Sequence, residues 1–197
     1  MPAAERRVTE ADIIPNEVFA RERKTRRAGL LPAKRLRQVA LGPVCTFYFE
    51  SFDTMLFQIQ EMLLIEKGGA EQLADELAAY NPLIPQGREL VATVMFEIDD
   101  PARRAATLAT LGNVEDHFFL TVGGERIDAV GEGDVERTRD DGKTSSVHFL
   151  HFPFNEAQAA AFTDPAAPAA IGCDHPNYGH SAALSGPTRA ELARDLV

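Results

Sequence analysis

Val147-His148-Phe149-Leu150-His151-Phe152-Pro153-Phe154 is an apolar, aromatic run with two histidines set into it. It reads as the end of a strand over Thr144–Phe152, since aromatic and β-branched residues suit a pleated, half-buried surface. Asn155 then starts a short helix to Phe162, and Ala169–Cys173 reads as a further strand. The connection of about 15 residues is long enough for a β-α-β crossover, so the two strands are expected to pair in parallel. Their carboxyl ends would then share one edge of the sheet, where open α/β sheets place ligands. His151 would approach Asp174 and His175 there, with a loop carrying Tyr178 and His180 behind them. Side chains alternate along a strand, so His148 and His151 point to opposite faces. His151 lies nearer the strand end and is the one expected at the site.

Upstream of this run the pattern changes between periods. Val39–Glu50 reads as a strand with Cys45, Phe47 and Phe49 on one face. Phe52, Met55, Leu56, Ile59, Met62 and Leu63 fall at helical spacing and predict a core helix over Phe52–Glu66. Gly68-Gly69 ends it, a second helix runs from Glu71 to Tyr80, and Asn81-Pro82 closes that one. The two helices form a hairpin. Glu89–Ile98 is a strand, and Asp100-Pro101 opens a short helix with aspartate as N-cap and proline at the first position. Strands are expected at His117–Val122, Arg126–Val130 and Val135–Arg139, with Asp141-Gly142 turning the last of these toward Thr144. Pro187–Leu196 reads as a terminal helix. The fold class is therefore α+β: a mixed, mainly antiparallel sheet, a helical hairpin and an N-terminal basic helix.

That basic helix is predicted to start at Thr9 and to break at Pro32. Residues 1–40 carry ten Lys and Arg against five Asp and Glu, while the whole chain of 197 residues has a net charge of −10. The division expected is a basic arm over 1–40 and a single α+β domain over 41–197. Basic arms that bind nucleic acid also tend to present stacking aromatics, and Phe19 stands alone here, so no specific nucleic-acid binding is expected. Apolar residues make up 45% of the chain, ample for a core, and no apolar run approaches the roughly 20 residues that span a bilayer. With two cysteines and no apolar leader, a reducing cytoplasm is the expected compartment.

Four of the five histidines fall in 147–154 and 172–180. Imidazole and carboxylate together suit iron or zinc, which makes His151, Asp174, His175 and His180 a candidate metal set, although no recognised ligand spacing is present. An acid–base site would use Asp174 to orient His175. Cys173 as a nucleophile would need a neighbouring base and a depressed pKa. The plainer alternative is that His175-Pro176 shapes a turn and Tyr178 closes the core. Glu61 is a separate catalytic candidate, lying on the flank of a largely apolar helix. Without a cation partner its pKa would rise and suit proton transfer, whereas an arginine across a helix pair would make it structural.

Thr46-Phe47-Tyr48-Phe49-Glu50, Gln58-Ile59-Gln60-Glu61-Met62-Leu63, Ala74-Asp75-Glu76-Leu77-Ala78-Ala79-Tyr80-Asn81-Pro82-Leu83-Ile84-Pro85, Glu97-Ile98-Asp99-Asp100-Pro101 and Asp174-His175-Pro176 are motifs of a known kind. In them the chain resembles an uncharacterised bacterial family, domain of unknown function 3501, over nearly its whole length. The resemblance implies no assigned reaction. It implies an association with rubrerythrin-like and iron–sulfur proteins, hence a role in cytoplasmic redox or peroxide defence. The family pattern does not require a cysteine before Asp-His-Pro. The leading expectation is thus an accessory or binding protein of a bacterial redox system, with a redox protein and a second copy of the chain as expected partners. The alternative is a metal-dependent or acid–base enzyme using the His151, Asp174, His175 and His180 edge.

Overall fold

The computed structural model describes residues 6–133, 137–138 and 142–196. The fold is α+β, with two antiparallel sheets stacked face to face and helices over the outer side of one. The first sheet is five-stranded, in the order β1 (Gln38–Leu41), β2 (Cys45–Phe49), β3 (Glu89–Phe96), β7 (Val147–Pro153) and β6 (Val130–Gly131). The second is four-stranded, in the order β5 (Glu125–Asp128), β4 (Phe118–Val122), β8 (Ala169–His175) and β9 (Tyr178–Ala183).

The expected β-α-β crossover does not form. β7 and β8 lie in different sheets, and every strand pair among the described residues is antiparallel. The reason is the better partner for β7, which is β3: Leu90 faces Phe152, Ala92 faces Leu150 and Val94 faces His148. That register aligns two apolar faces. The helix α5 (Glu156–Thr163), N-capped by Asn155, carries the chain across to the other sheet instead of back along the same one.

Between the sheets lies the main core. Phe47 of β2 meets Phe118 of β4 edge-on at 5.2 Å, and Phe96 of β3 meets Tyr178 of β9 edge-on at 5.6 Å. Each fully buried phenylalanine contributes about 1.5–3 kcal/mol of transfer free energy. Cys45 and Cys173 are small members of this core, both as free thiols. At one seam between the sheets the Tyr178 hydroxyl donates to the Leu41 carbonyl at 2.6 Å. At the other, the chain leaves β5 and enters β6 after a single residue, Ala129.

The outer face of the five-stranded sheet supports a second core. α2 (Phe52–Glu66) is the helix expected, N-capped by the Ser51 hydroxyl and presenting Met55, Ile59 and Leu63 to Val91. α3 (Gly69–Tyr80) completes the hairpin. The N-terminal segment differs from expectation. Thr9 caps only a short 3-10 turn, Glu10–Asp12, and the basic helix α1 starts after Pro15 and spans Asn16–Leu36. Pro32 lies inside it without ending it; that stretch is exposed, so the carbonyl of Ala28 that proline leaves unbonded is open to solvent. β1 then straddles residue 40 and is bonded into the sheet. The stretch read as one strand, Val39–Glu50, is the β1–β2 hairpin. The expected strand Val135–Arg139 and its Asp141-Gly142 turn lie mostly outside the described residues, although Thr138 bridges Thr144. α4 (Pro101–Leu108) has the expected Asp100 cap, and α6 (Gly186–Leu192) is the terminal helix, prolonged by a 3-10 turn to Asp195. Among the described residues no helix is long and apolar enough to cross a membrane.

Candidate functional site

β8 alternates inward Ile171, Cys173 and His175 with outward Gly172 and Asp174. Asp174 therefore stands on the outer face of the four-stranded sheet. Its Oδ1 is 2.9 Å from His117 Nδ1, and its Oδ2 accepts from Arg126 Nη1 at 2.7 Å. These two partners, Arg126 first, hold its carboxyl below the usual carboxylate range. Arg126 also donates to Asp128 and lies 4.0 Å over the ring of Phe119. That ring in turn covers Gly172, where a Cβ would come within 2.4 Å of it. The His175 ring meets His117 edge-on at 5.0 Å.

His117 is the functional candidate that sequence reasoning missed. The signal was present: Phe118 pairs with Cys173, so the antiparallel register sets 117 beside 174. Only the pairing of β4 with β8 was unforeseen. As a consequence Asp174 orients His117, not His175. His175 is buried, with Nε2 at 3.3 Å from the Gly112 carbonyl and Nδ1 accepting from the Asn177 amide at 3.2 Å, the turn-shaping role.

The remaining candidates are placed elsewhere. His151 projects from the opposite sheet, between Glu89 (Nδ1 to Oε2, 3.0 Å) and Glu132 (Nε2 to Oε2, 2.7 Å). Both ring nitrogens face carboxylates, an arrangement that favours the protonated ring, in which both nitrogens donate. The Glu89 bond, working against burial and aided by Glu132, raises its pKa. His180 packs on Tyr178 with ring centres 4.4 Å apart and lies against Gly42 at the seam. His151 and Asp174 have no bonding partner in common. Among the described residues no three His, Cys, Asp or Glu side chains gather as a metal-ligand set. The convergence of His151 with Asp174, His175 and His180 depended on the parallel crossover, and it goes with it.

Three further readings resolve. Glu61 is clasped by Arg23, Nε to Oε1 at 2.7 Å and Nη2 to Oε2 at 2.5 Å, the arginine-paired alternative, and this pair lowers its pKa, the opposite of the shift that a carboxylate without a cation would show. Burial pushes the Cys173 thiol up to about 11, the reverse of an activated nucleophile. His148 is fully buried beside Phe96, with Nε2 2.9 Å from the Ser145 carbonyl, and burial lowers its pKa, so it is a neutral core imidazole.

Arg37 was also unforeseen. It is buried at the end of α1 and donates to both oxygens of Asp195 at 2.7 and 2.8 Å, to Glu191 at 3.0 Å and to the Glu50 carbonyl at 3.0 Å. Burial opposes its charge, but Asp195 and Glu191 outweigh that and raise its pKa.

A family model described as "Protein of unknown function (DUF3501)" matches residues 7–196 of the chain. The fold is also similar to a crystal structure of a novel protein of unknown function from Burkholderia pseudomallei K96243. The two share 37% sequence identity with a TM-score of 0.89, over 96% of this chain and 99% of that chain. No curated protein matches. The chain belongs to the DUF3501 family.

Proposed function

We propose that this DUF3501 chain is a binding, or accessory, protein that acts by contact through the outer face of its four-stranded sheet. The observation that carries the reading is Asp174, exposed yet fixed on both oxygens by His117 and Arg126. Arg126 is itself settled on Phe119. Arginine and aromatic groups held in place in this way lose little rotamer freedom on association, and such groups dominate interface energetics. Small residues flank them: Gly179, Ser181 and Ala183 of β9 are exposed on the same face, which lets a partner approach the backbone. The partner is a redox protein of a bacterial peroxide-defence system, rubrerythrin-like or iron–sulfur, as the family resemblance implies.

The test is calorimetric titration of the purified chain against a rubrerythrin-like protein from the same bacterium. Saturable binding with Kd between roughly 1 and 100 μM is expected for a transient interface. Asp174→Lys, a change at an exposed site, should weaken it about tenfold or more while leaving the melting temperature in place. Absence of heat with both rubrerythrin-like and iron–sulfur candidates at about 100 μM overturns the partner. Binding indifferent to Asp174→Lys and to Arg126→Glu overturns the surface.

A further inference from the structure

On the other side of the molecule the helical hairpin leaves part of the five-stranded sheet open, and a second polar chamber lies there. Tyr48 and Thr93 are cross-strand neighbours on β2 and β3, as are Thr46 and Met95. Tyr48, Glu50, Thr54, Thr93 and Met95, with Lys34 of α1, line a cavity of about 240 Å³. Glu50 forms its floor and is only 9% exposed. Its Oε1 accepts from the Thr93 hydroxyl at 2.7 Å and its Oε2 from the Thr54 hydroxyl at 2.6 Å.

Among the described residues no cation pairs with this carboxylate. Arg37 also lines the cavity, but its guanidinium is committed to Asp195, Glu191 and the Glu50 main-chain oxygen. A buried carboxylate with two hydroxyl donors and no cation is left short of compensation for its lost hydration. Burial accordingly pushes the Glu50 carboxyl up, against the two hydroxyls and the more distant Lys34 and Arg37. Lys34 itself is exposed and makes no ion pair with a described residue.

We infer that this chamber binds a small zwitterion of amino-acid size, its ammonium on Glu50 and its carboxylate at Lys34. Three observations select that class. The volume falls below the roughly 300–1,000 Å³ of sites for drug-sized ligands, so only a few heavy atoms fit. The two ends differ in kind: a carboxyl on the buried floor that has hydroxyl donors but no cation, and a positive lysine at the exposed rim. A simple anion would leave the floor without its cation, and a simple amine would gain nothing from the rim. Between them Tyr48 and Met95 offer apolar surface for a short carbon spacer. The Tyr48 hydroxyl donates to Glu97 at 2.8 Å, which holds that wall in place. The Glu97 carboxylate and hydrogen bonding together with burial, burial foremost, push the tyrosine to about 12, so it stays uncharged near neutrality. The inference is independent of the partner surface on the other sheet.

The experiment is calorimetry at neutral pH with glycine, β-alanine and 4-aminobutyrate, alongside butylamine and butyrate as single-charge controls. At least one zwitterion should bind at one site per chain, about tenfold or more tighter than either control. Lys34→Ala, at an exposed position with no ion pair among the described residues, should reduce the zwitterion to the affinity of butylamine. Glu50→Gln should abolish its binding. Should Glu50→Gln fail to fold, Lys34→Ala alone still decides, because it leaves the floor untouched. No saturable heat from any zwitterion, butyrate binding as tightly as the best of them, or an affinity unchanged in Lys34→Ala would overturn the assignment.

Discussion

Replacing Arg37 by alanine should remove a large share of the stability of this protein. The guanidinium side chain is 5% exposed and the Asp195 side chain 3% exposed, so the pair lies in the buried regime. Exposed pairs contribute at most about 1 kcal/mol, but deleting one partner of a buried pair costs about 3–5 kcal/mol, since the other charge stays behind without compensation. Asp195 would lose both of its bonds to Arg37, Glu191 one, and the Glu50 carbonyl one. In a domain of this size each kcal/mol moves Tm by about 2–4 °C, so the expected fall is roughly 6–20 °C. Urea unfolding followed by far-ultraviolet dichroism, with a thermal scan beside it, measures both. Adding Asp195→Leu to Arg37→Met should recover much of the loss, because a packed apolar pair can replace an ionic one. A loss under about 1 kcal/mol for Arg37→Ala would refute the reasoning, since it would place the pair energetically at the surface.

Two further outcomes test the packing and the electrostatics. Ile59, fully buried on α2, should cost about 2–5 kcal/mol on replacement by alanine, read as a lowered urea midpoint; an unchanged midpoint would contradict its burial. His151 has its pKa raised in the folded chain, so its contribution is complete below the unfolded histidine value of about 6.5 and is lost as pH climbs through the higher folded value. Wild-type stability should fall across that window and His151→Gln should flatten the fall, while an imidazole NMR titration of His151 at or below about 6.5 would rule the effect out.

Local pattern carried the elements much further than it carried their partners. α2 is legible to its terminal residues because the apolar spacing runs from Phe52 to Leu63 and Gly68-Gly69 follows it, and the Ser51 cap observed at its start agrees with that bound. β7 is equally plain as a strand. What its sequence does not contain is the choice between β8, near in sequence, and β3, more than fifty residues away: a connection of the right length permits parallel pairing without requiring it. The face-to-face match of Leu90 with Phe152 settles the choice, and that match is a property of two segments together. β9 went unread for a different reason, since Gly179, Ser181, Ala182 and Ala183 have weak strand preference and pair only because β8 offers an edge. The candidate site shared both problems. Asp174 and His175 were identified by type, yet their true neighbours, His117 and Arg126, are set by the β4–β8 and β4–β5 registers. Arg37 looked like one more charge on a basic helix because the residue that buries it comes at the far end of the chain.

That last separation has a consequence during synthesis. Arg37 and Asp195 are 158 residues apart, so at about 5–20 residues per second a ribosome needs roughly 8–30 s to deliver the second after the first. For much of that interval β3 lacks its partner β7 and β4 its partner β8, so Phe47, Phe96 and Phe118 wait uncovered, open to water or to a chaperone. Arg37 can therefore reach its buried pairing only after nearly all of the described fold has been synthesised, and a chain cut before Asp195 would leave its guanidinium with Glu191 alone among those two carboxylates.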